Sequence, residues 1–335
     1  MPSRDFDPFG EHTSLRYEHK QRLLGANIRF RSNSRALLKL VEHAYAGLPP
    51  QEIASAAPEL RVTLLLNKQP PRGARRGEPQ PFKLLHGAGL LAASTGASDY
   101  AVLAPRDGAA LVVVSKDMLR FPYHTRYELI EFAVFTLAAR SQALVPLHAA
   151  CVGIGGRGVL LMGDTGAGKS TLALQCLLQG FDFLSEDSVF VQAESLRATG
   201  VASFLHVQSE SLRWVASARI AAAIRRSPVI RRRSGARKFE LDLRRTPFKL
   251  ARAPLKICAV IFLSAKRASA GAQLLRALPK REMLARLGAL QSYGSSAPQW
   301  RTFASRAARL AVFELRRGAQ PADGATALAE LLARR

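Results

Sequence analysis

Cysteine is scarce: Cys151, Cys176 and Cys258 are the only three in 335 residues. An odd count without metal-ligand spacing excludes a disulfide framework and a zinc ribbon, and the apolar neighbours of each predict buried free thiols. Acid is scarce as well, with 25 Asp and Glu against 49 Lys and Arg, a net charge of +24 and a pI near 11.1. That balance calls for an anionic partner, yet no zinc finger, RNA-recognition signature or heptad basic region accompanies it, so specific nucleic-acid binding is not expected. Long apolar runs are missing. The longest, near 132–139 and 257–263, fall far short of the about 20 residues that span a bilayer. The first residues are charged rather than basic and then apolar, so no secretory leader is read and a cytoplasmic protein is expected. Hydrophobic residues at 48% are ample for a buried core, and the length predicts two domains or one large one with an appendage.

Against these absences stands one full motif: Gly163, Asp164, Thr165, Gly166, Ala167, Gly168, Lys169, Ser170 and Thr171 match the Walker A pattern G-x-x-x-x-G-K-[ST]. Residues 159–162 read as a strand leading in. Leu172, Ala173, Leu174, Leu177 and Leu178 suit a buried helix leading out, which Gly180 ends. Strand, loop and helix are the context in which backbone N–H groups and a helix N-terminus cradle phosphate. Lys169 then reaches the β- and γ-phosphates and Ser170 holds Mg²⁺, so ATP with Mg²⁺ is the expected cofactor. Cassette-type transport ATPases are excluded because no L-S-G-G-Q follows. GTPases are excluded because the one Asn-Lys pair, Asn67-Lys68, precedes the loop and lacks the guanine-reading Asp.

In chain order, a polar leader to about Arg22 precedes a strand at 26–30. Ser34 is placed to cap a helix over 35–46 with Leu37, Leu38, Val41 and Tyr45 on one face. Strands are predicted at 61–66, 100–103 and 111–115, with a Pro-, Gly- and Arg-rich loop over 68–81. One amphipathic helix is expected over 124–140, with Leu129, Ile130, Ala133, Val134 and Leu137 inward and His124 as a cap or surface residue. Residues 146–154 and 158–162 predict two strands of a hairpin turning at Gly155-Gly156-Arg157. Gly153, Gly155 and Gly158 also fit G-x-G-x-x-G, but Gly158 opens a strand whereas the dinucleotide fingerprint opens a helix, so that reading is rejected. A strand at 181–184 ends in Ser185-Glu186-Asp187-Ser188, where a site of this kind places a metal ligand and the group that takes the nucleophile's proton.

Leu147-His148-Ala149-Ala150, the hairpin, the phosphate loop, Gly180 and Leu184-Ser185-Glu186-Asp187, in that order, resemble the core of the HPr kinase/phosphorylase family and related bacterial kinases. The resemblance is close over 146–191 and extends weakly to 256–263, 312–315 and 321–332. It implies an α/β fold: a P-loop kinase core of the HPr kinase/phosphoenolpyruvate carboxykinase type with a mixed sheet at 122–335, plus an α+β N-terminal region at 1–121. It makes Lys169 the phosphate clamp, Ser170 and Asp187 metal ligands, and Glu186 the catalytic base, with His148 beside that carboxyl to tune it. Two departures stand out. Glu186 replaces the family's Asp, and the later Glu-x-Arg-Gly signature is absent, so HPr itself is not the expected substrate.

A basic stretch, Arg225-Arg226, Arg231 to Arg233, Arg237-Lys238 and Arg244-Arg245, follows the nucleotide core. It is either a solvated face or a surface for triphosphate or an acidic peptide; Arg237 and Lys238, at the start of an alternating strand, are the favoured contacts. His206 and Glu210 are further polar candidates. The expected activity is ATP-dependent transfer to a hydroxyl, with Ser of a peptide or small protein, such as a ribosomally made precursor peptide, as acceptor. A small-metabolite kinase and a nucleotide-binding accessory without transferase activity are the alternatives. Self-association is left open.

Overall fold

In the computed structural model, which describes residues 13–53, 57–67, 77–269 and 271–334, the chain divides into two compact units. The first holds residues up to 21, 27–46 and 59–137; the second holds 22–26, 47–58 and 138–335.

The first unit is built on β1 (Tyr17–Leu23), β2 (Ala26–Ser32), α1 (Arg35–Tyr45), β3 (Glu59–Asn67), β4 (Lys83–Gly87), β5 (Leu90–Ser94), β6 (Tyr100–Ala104) and β7 (Ala109–Ser115). These strands form one mixed sheet in the order β1-β2-β3-β7-β6-β5-β4. Strand β2 alternates cleanly, with Ile28 and Phe30 buried and Arg29 and Arg31 exposed, as a half-buried strand must. Its parallel pairing to β3 requires a crossover, which α1 supplies with Leu37, Leu38, Val41, Ala44 and Tyr45 buried. The expected polar leader thus becomes strand β1 from Tyr17 onward, and most of the 68–81 loop lies outside the described residues, as does the leader's beginning.

The helix expected over 124–140 is three pieces: α2 (Pro122–His124), a π-helical turn Thr125–Ile130, and α3 (Glu131–Ser141). All five residues predicted inward are buried. His124 is not at the surface: it is buried with Nδ1 2.9 Å from Glu128 Oε1, a pairing on one helical face that removes two polar groups from water together.

The second unit contains β8 (Leu144–His148), β9 (Ala150–Ile154), β10 (Arg157–Met162), α4 (Lys169–Leu178), β11 (Asp182–Ser185), β12 (Ser188–Gln192), β13 (Arg197–Gly200), β14 (Phe204–Val207), α5 (Ala218–Arg225), β15 (Val229–Arg231), β16 (Arg237–Asp242), β17 (Leu255–Arg267), β18 (Leu275–Ala277), α6 (Lys280–Leu290), α7 (Trp300–Ala307), β19 (Ala311–Arg317) and α8 (Pro321–Ala333). Nine strands make a mixed sheet with β10 and β19 parallel to β17, while β14, β16 and β15 form a small antiparallel sheet. The single strand expected over 146–154 is broken at Ala149, so β8 pairs with β12 while β9 pairs with β10.

Strand β10 reads as a continuous apolar run because both its faces are covered. Val159 and Leu161 join a core with Leu172, Ala173 and Cys176 of α4 and Leu328 and Leu332 of α8. Leu160 and Met162 face the other way, into a core with Met283 and Leu287 of α6 and Phe303 and Ala307 of α7. Of the predicted buried thiols, Cys151 and Cys176 are buried and Cys258, on β17, is half-buried. The glycine triplet that mimicked a dinucleotide site has a packing cause. A Cβ on Gly153 would lie 2.2 Å from Arg157 O, and one on Gly158 would lie 2.9 Å from Leu255 Cβ. Gly155 and Gly156, at φ +58° and +78°, supply the two positive values of a tight hairpin turn.

Candidate functional site

Strand β10 delivers Met162 to the start of the loop, and the loop closes onto the first turn of α4 through the Leu172 N–H donating to Gly168 O at 2.9 Å. Asp164, Thr165 and Gly166 are exposed, Ala167 and Gly168 are half-buried, and Lys169 is buried. Lys169 Nζ donates to Gly163 O at 2.6 Å and lies 3.3 Å from Asp164 O. Burial lowers its ammonium from the ordinary value against the opposing pull of Asp187 and Asp164. Ser170, one residue on, turns its hydroxyl out of the helix and donates to Glu186 Oε1 at 2.5 Å. Thr171 Oγ1 lies 3.0 Å from Ser211 Oγ.

Glu186 and Asp187 follow β11, and although adjacent they enter different surroundings. Glu186 Oε2 accepts from the His206 backbone N–H at 2.9 Å and from His206 Nδ1 at 2.7 Å. Both side chains are only 6% exposed. The antiparallel register of β14 with β16 sets His206 opposite Glu240, whose Oε1 is 3.5 Å from His206 Nε2. Each imidazole nitrogen therefore faces a carboxylate. Burial alone would raise the Glu186 carboxyl, but the charge and hydrogen bond of His206, the Ser170 hydroxyl and Arg232 outweigh it and bring it to about 2. Burial would likewise lower His206, and the Glu186 charge with bonds from both carboxylates reverses this and holds it above its ordinary value.

Asp187 meets a second histidine. The register of β8 with β12 puts His148 across from Ser188, so its ring reaches back to Asp187, with Nδ1 3.2 Å from Oδ1. Here the side chains are 50% and 39% exposed. The expected placement of His148 beside Glu186 is thus corrected: His206 occupies that position, because the break at Ala149 ends β8 level with the second acid and not the first. The other Asp187 oxygen, Oδ2, receives Arg232 Nη1 at 3.3 Å.

Three residues of this constellation stood outside the motifs. Arg232, in the turn between β15 and β16, was legible only as one member of a basic run; Arg237, favoured there, is exposed, whereas Lys238 is half-buried and feels Glu186 and Asp187. His206 had no signal beyond its polarity, and Glu210, named with it, is exposed. Gln291 had none. Its amide clamps the backbone of His148 from both sides, accepting from His148 N at 2.7 Å and donating to His148 O at 3.0 Å.

The arrangement can bind an anion at a loop and helix N-terminus, hold one hard oxygen pair at Ser170 and Glu186, and accept a proton at a histidine-paired, accessible carboxylate. Among the described residues no group of three or more His, Cys, Asp or Glu side chains is arranged to hold a metal ion alone. No helix among them is long and apolar enough to cross a membrane.

No protein-family model and no curated protein matches the chain. Among solved structures, the HPr(Ser) kinase/phosphatase from Coxiella burnetii aligns at 14% identity over 56% of this chain and 95% of that one, with a TM-score of 0.30. A superposition that loose carries no functional weight.

Proposed function

We propose that the chain is an ATP-dependent phosphotransferase that moves the γ-phosphoryl group to a hydroxyl, with Ser of a peptide or small protein as acceptor. The supporting observation is the continuity of the constellation: the loop hydroxyl of Ser170 sits on Glu186, and the next residue, Asp187, is paired to His148 at an accessible position. The mixed α/β core then belongs with P-loop kinases of the HPr kinase and phosphoenolpyruvate carboxykinase type. The phosphate loop and both acids lie in the second unit, which is the catalytic region; the first unit docks the acceptor or mediates assembly, and the cytoplasm is the compartment of action.

Mg²⁺ prefers hard oxygen ligands and shares them with phosphate. The Ser170 hydroxyl and the ionised Glu186, 2.5 Å apart, fit that need, and these two residues would hold the ion. When bound, it neutralises charge on the β- and γ-phosphates. Lys169 leaves its loop carbonyls to reach the phosphates, and the loop amides orient them. Asp187, open to solvent and aligned by His148, accepts the proton as the acceptor oxygen attacks phosphorus and the bond to the β,γ-bridging oxygen breaks. This exchanges the roles that the resemblance gives the two acids. A longer Glu suits the first position because its carboxylate spans from Ser170 to His206.

The test is transfer of label from γ-labelled ATP with Mg²⁺ to lysate components, comparing wild type with Lys169→Ala and Asp187→Asn. Label on a peptide or protein that both variants lose supports the reading. Binding of ATP with no labelled macromolecule or metabolite sinks it.

A further inference from the structure

The seven-stranded sheet of the first unit ends on β4, and that edge is unlike the rest of the described surface. Of the eight large hydrophobic residues exposed among those described, Phe82, Leu84, Leu85 and Leu90 fall on or beside this one hairpin. All five residues of β4 are exposed, Leu84 at 53% and Leu85 at 63%. Adjacent residues of a strand take opposite faces. Leu84 continues the row of Ala93, Ala101 and Val112, each fully buried, so the core runs out at this strand. Leu85 continues the row of Ala92, Val102, Leu111, Thr63 and Arg31 on the other face, which is half-buried along its middle and basic at its far end. The turn fixes which backbone groups face outward. Ala88 and Gly89, at φ +50° and +80°, make a type I′ turn. Gly87 and Leu90 beside it exchange backbone hydrogen bonds, and two residues further on so do Leu85 and Ala92. The N–H and C=O of Leu84 and His86 therefore point away from β5, where no described strand meets them.

We propose that this edge docks an acidic, extended segment of the phosphoryl acceptor, which adds to the sheet as a further strand beside β4. The inference rests on the reading of the chain as a phosphotransferase that acts on a peptide or small protein. The outward groups of Leu84 and His86 supply backbone hydrogen bonds to any extended chain, and the side chains beside them supply selection. A residue packed against Leu84 extends the buried row and must be apolar; its neighbours, on the face of Leu85, meet the basic end of that face. Charge decides between the occupants an edge can take. No acid occurs over residues 79–98, whereas Lys83 and His86 lie on β4 itself. A second copy would bring together two chains of net charge +24, and a lysine on an edge strand opposes pairing of like edges. An acidic segment meets neither obstacle.

The test is an anisotropy titration of the full chain with a labelled peptide of about eight residues that alternates leucine with glutamate around one serine, and with a second peptide in which lysine replaces glutamate. Wild type is expected to bind the acidic peptide, and the basic one about tenfold more weakly or worse. His86→Pro removes one outward N–H while leaving β4 its bonds to β5, a substitution that an edge strand accepts. Affinity for the acidic peptide should then fall roughly tenfold or more, with ATP affinity and the thermal melt unchanged. Leu84→Asp, at an exposed position, should lower it by a similar factor. The proposal is overturned if wild type binds neither peptide or both alike, or if both variants bind the acidic peptide as wild type does. It is overturned equally if sedimentation shows a wild-type dimer that His86→Pro dissociates, the mark of a second copy on the edge. None of these outcomes touches transfer of label from ATP to other acceptors, which tests the phosphotransferase reading separately. If wild type holds the acidic peptide at the edge but labels neither it nor any lysate component, the edge stands as a peptide site and the phosphotransferase reading falls alone.

Discussion

Two histidine–carboxylate pairs stand side by side in this chain and differ in almost everything but composition. His206 and Glu186 are sealed, 2.7 Å apart, and further bonded to Ser170 and Glu240. His148 and Asp187 are 3.2 Å apart and open to solvent. The contrast teaches that neighbouring acids at one strand end take their chemistry from the walls they meet and not from their order in the motif. A buried, multiply bonded carboxylate is fixed in its ionised form, which suits a permanent ligand, whereas an accessible one can meet an incoming acceptor.

The strongest way to break the comparison is to remove each acid in turn. Glu186→Ala leaves a buried imidazole and a buried hydroxyl without their shared acceptor, and stability should fall by about 3–5 kcal/mol. Asp187→Ala, at a solvent-screened pair, should cost no more than about 1 kcal/mol. Urea unfolding of the two variants measures both; equal losses would show that burial does not separate the pairs.

Activity should rank them differently. Asp187→Asn is expected to reduce transfer by about 10²- to 10⁴-fold with ADP affinity unchanged, because only proton acceptance is lost. Glu186→Gln should weaken Mg²⁺-dependent nucleotide binding as well. Single-turnover transfer and ADP titration give the two readouts, and a Glu186→Gln enzyme that binds Mg²⁺ and ADP like wild type would return the base role to Glu186.

A pH series sharpens the same contrast. Glu186 is depressed to about 2, so its contribution is full above the ordinary carboxyl range near 4.5 and is lost as pH falls through about 2. His206 is raised, so its contribution is full below about 6.5 and is lost as pH climbs past its value in the folded protein. The stability difference between wild type and Glu186→Gln should therefore be flat and largest between those limits and shrink on both sides. A difference that grows with rising pH beyond neutrality would contradict the charged assignment of His206.

How much of this was legible in the sequence follows the range of the contacts. The phosphate loop, its strand and its helix are local, and their residues lie where the motif and the apolar pattern put them. The core faces of β2, α1 and the helix before β8 were legible for the same reason: period is a property of a short stretch. The partner of each acid was not. That depends on a one-residue break at Ala149, which moved His148 from Glu186 to Asp187, and on a cross-strand register between β14 and β16, which brought His206 and Glu240 together across more than 30 residues of chain. Neither register leaves a mark on its own strand. The glycines around the β9–β10 turn carried a misleading pattern because close packing of Gly153 and Gly158 against Leu255, the positive φ of Gly155 and phosphate approach all ask for the same absent side chain.

Gln291 provides the gentlest perturbation, since it touches neither acid. Its amide satisfies both the N–H and the carbonyl of His148 on the outer edge of β8, the end strand of its sheet, and it is itself buried. Gln291→Ala leaves those backbone groups to water or to strain, costing about 1–3 kcal/mol of stability. The imidazole then loses its fixed origin while the buried pair keeps every contact. Transfer should fall by about tenfold or less, as expected for looser positioning and intact chemistry, with nucleotide affinity unchanged. Combining it with His148→Ala should add little further loss of transfer, because residues acting through one shared partner are not additive. Full additivity in that double variant would place Gln291 outside the Asp187 arm of the site and leave His148 oriented by its strand alone.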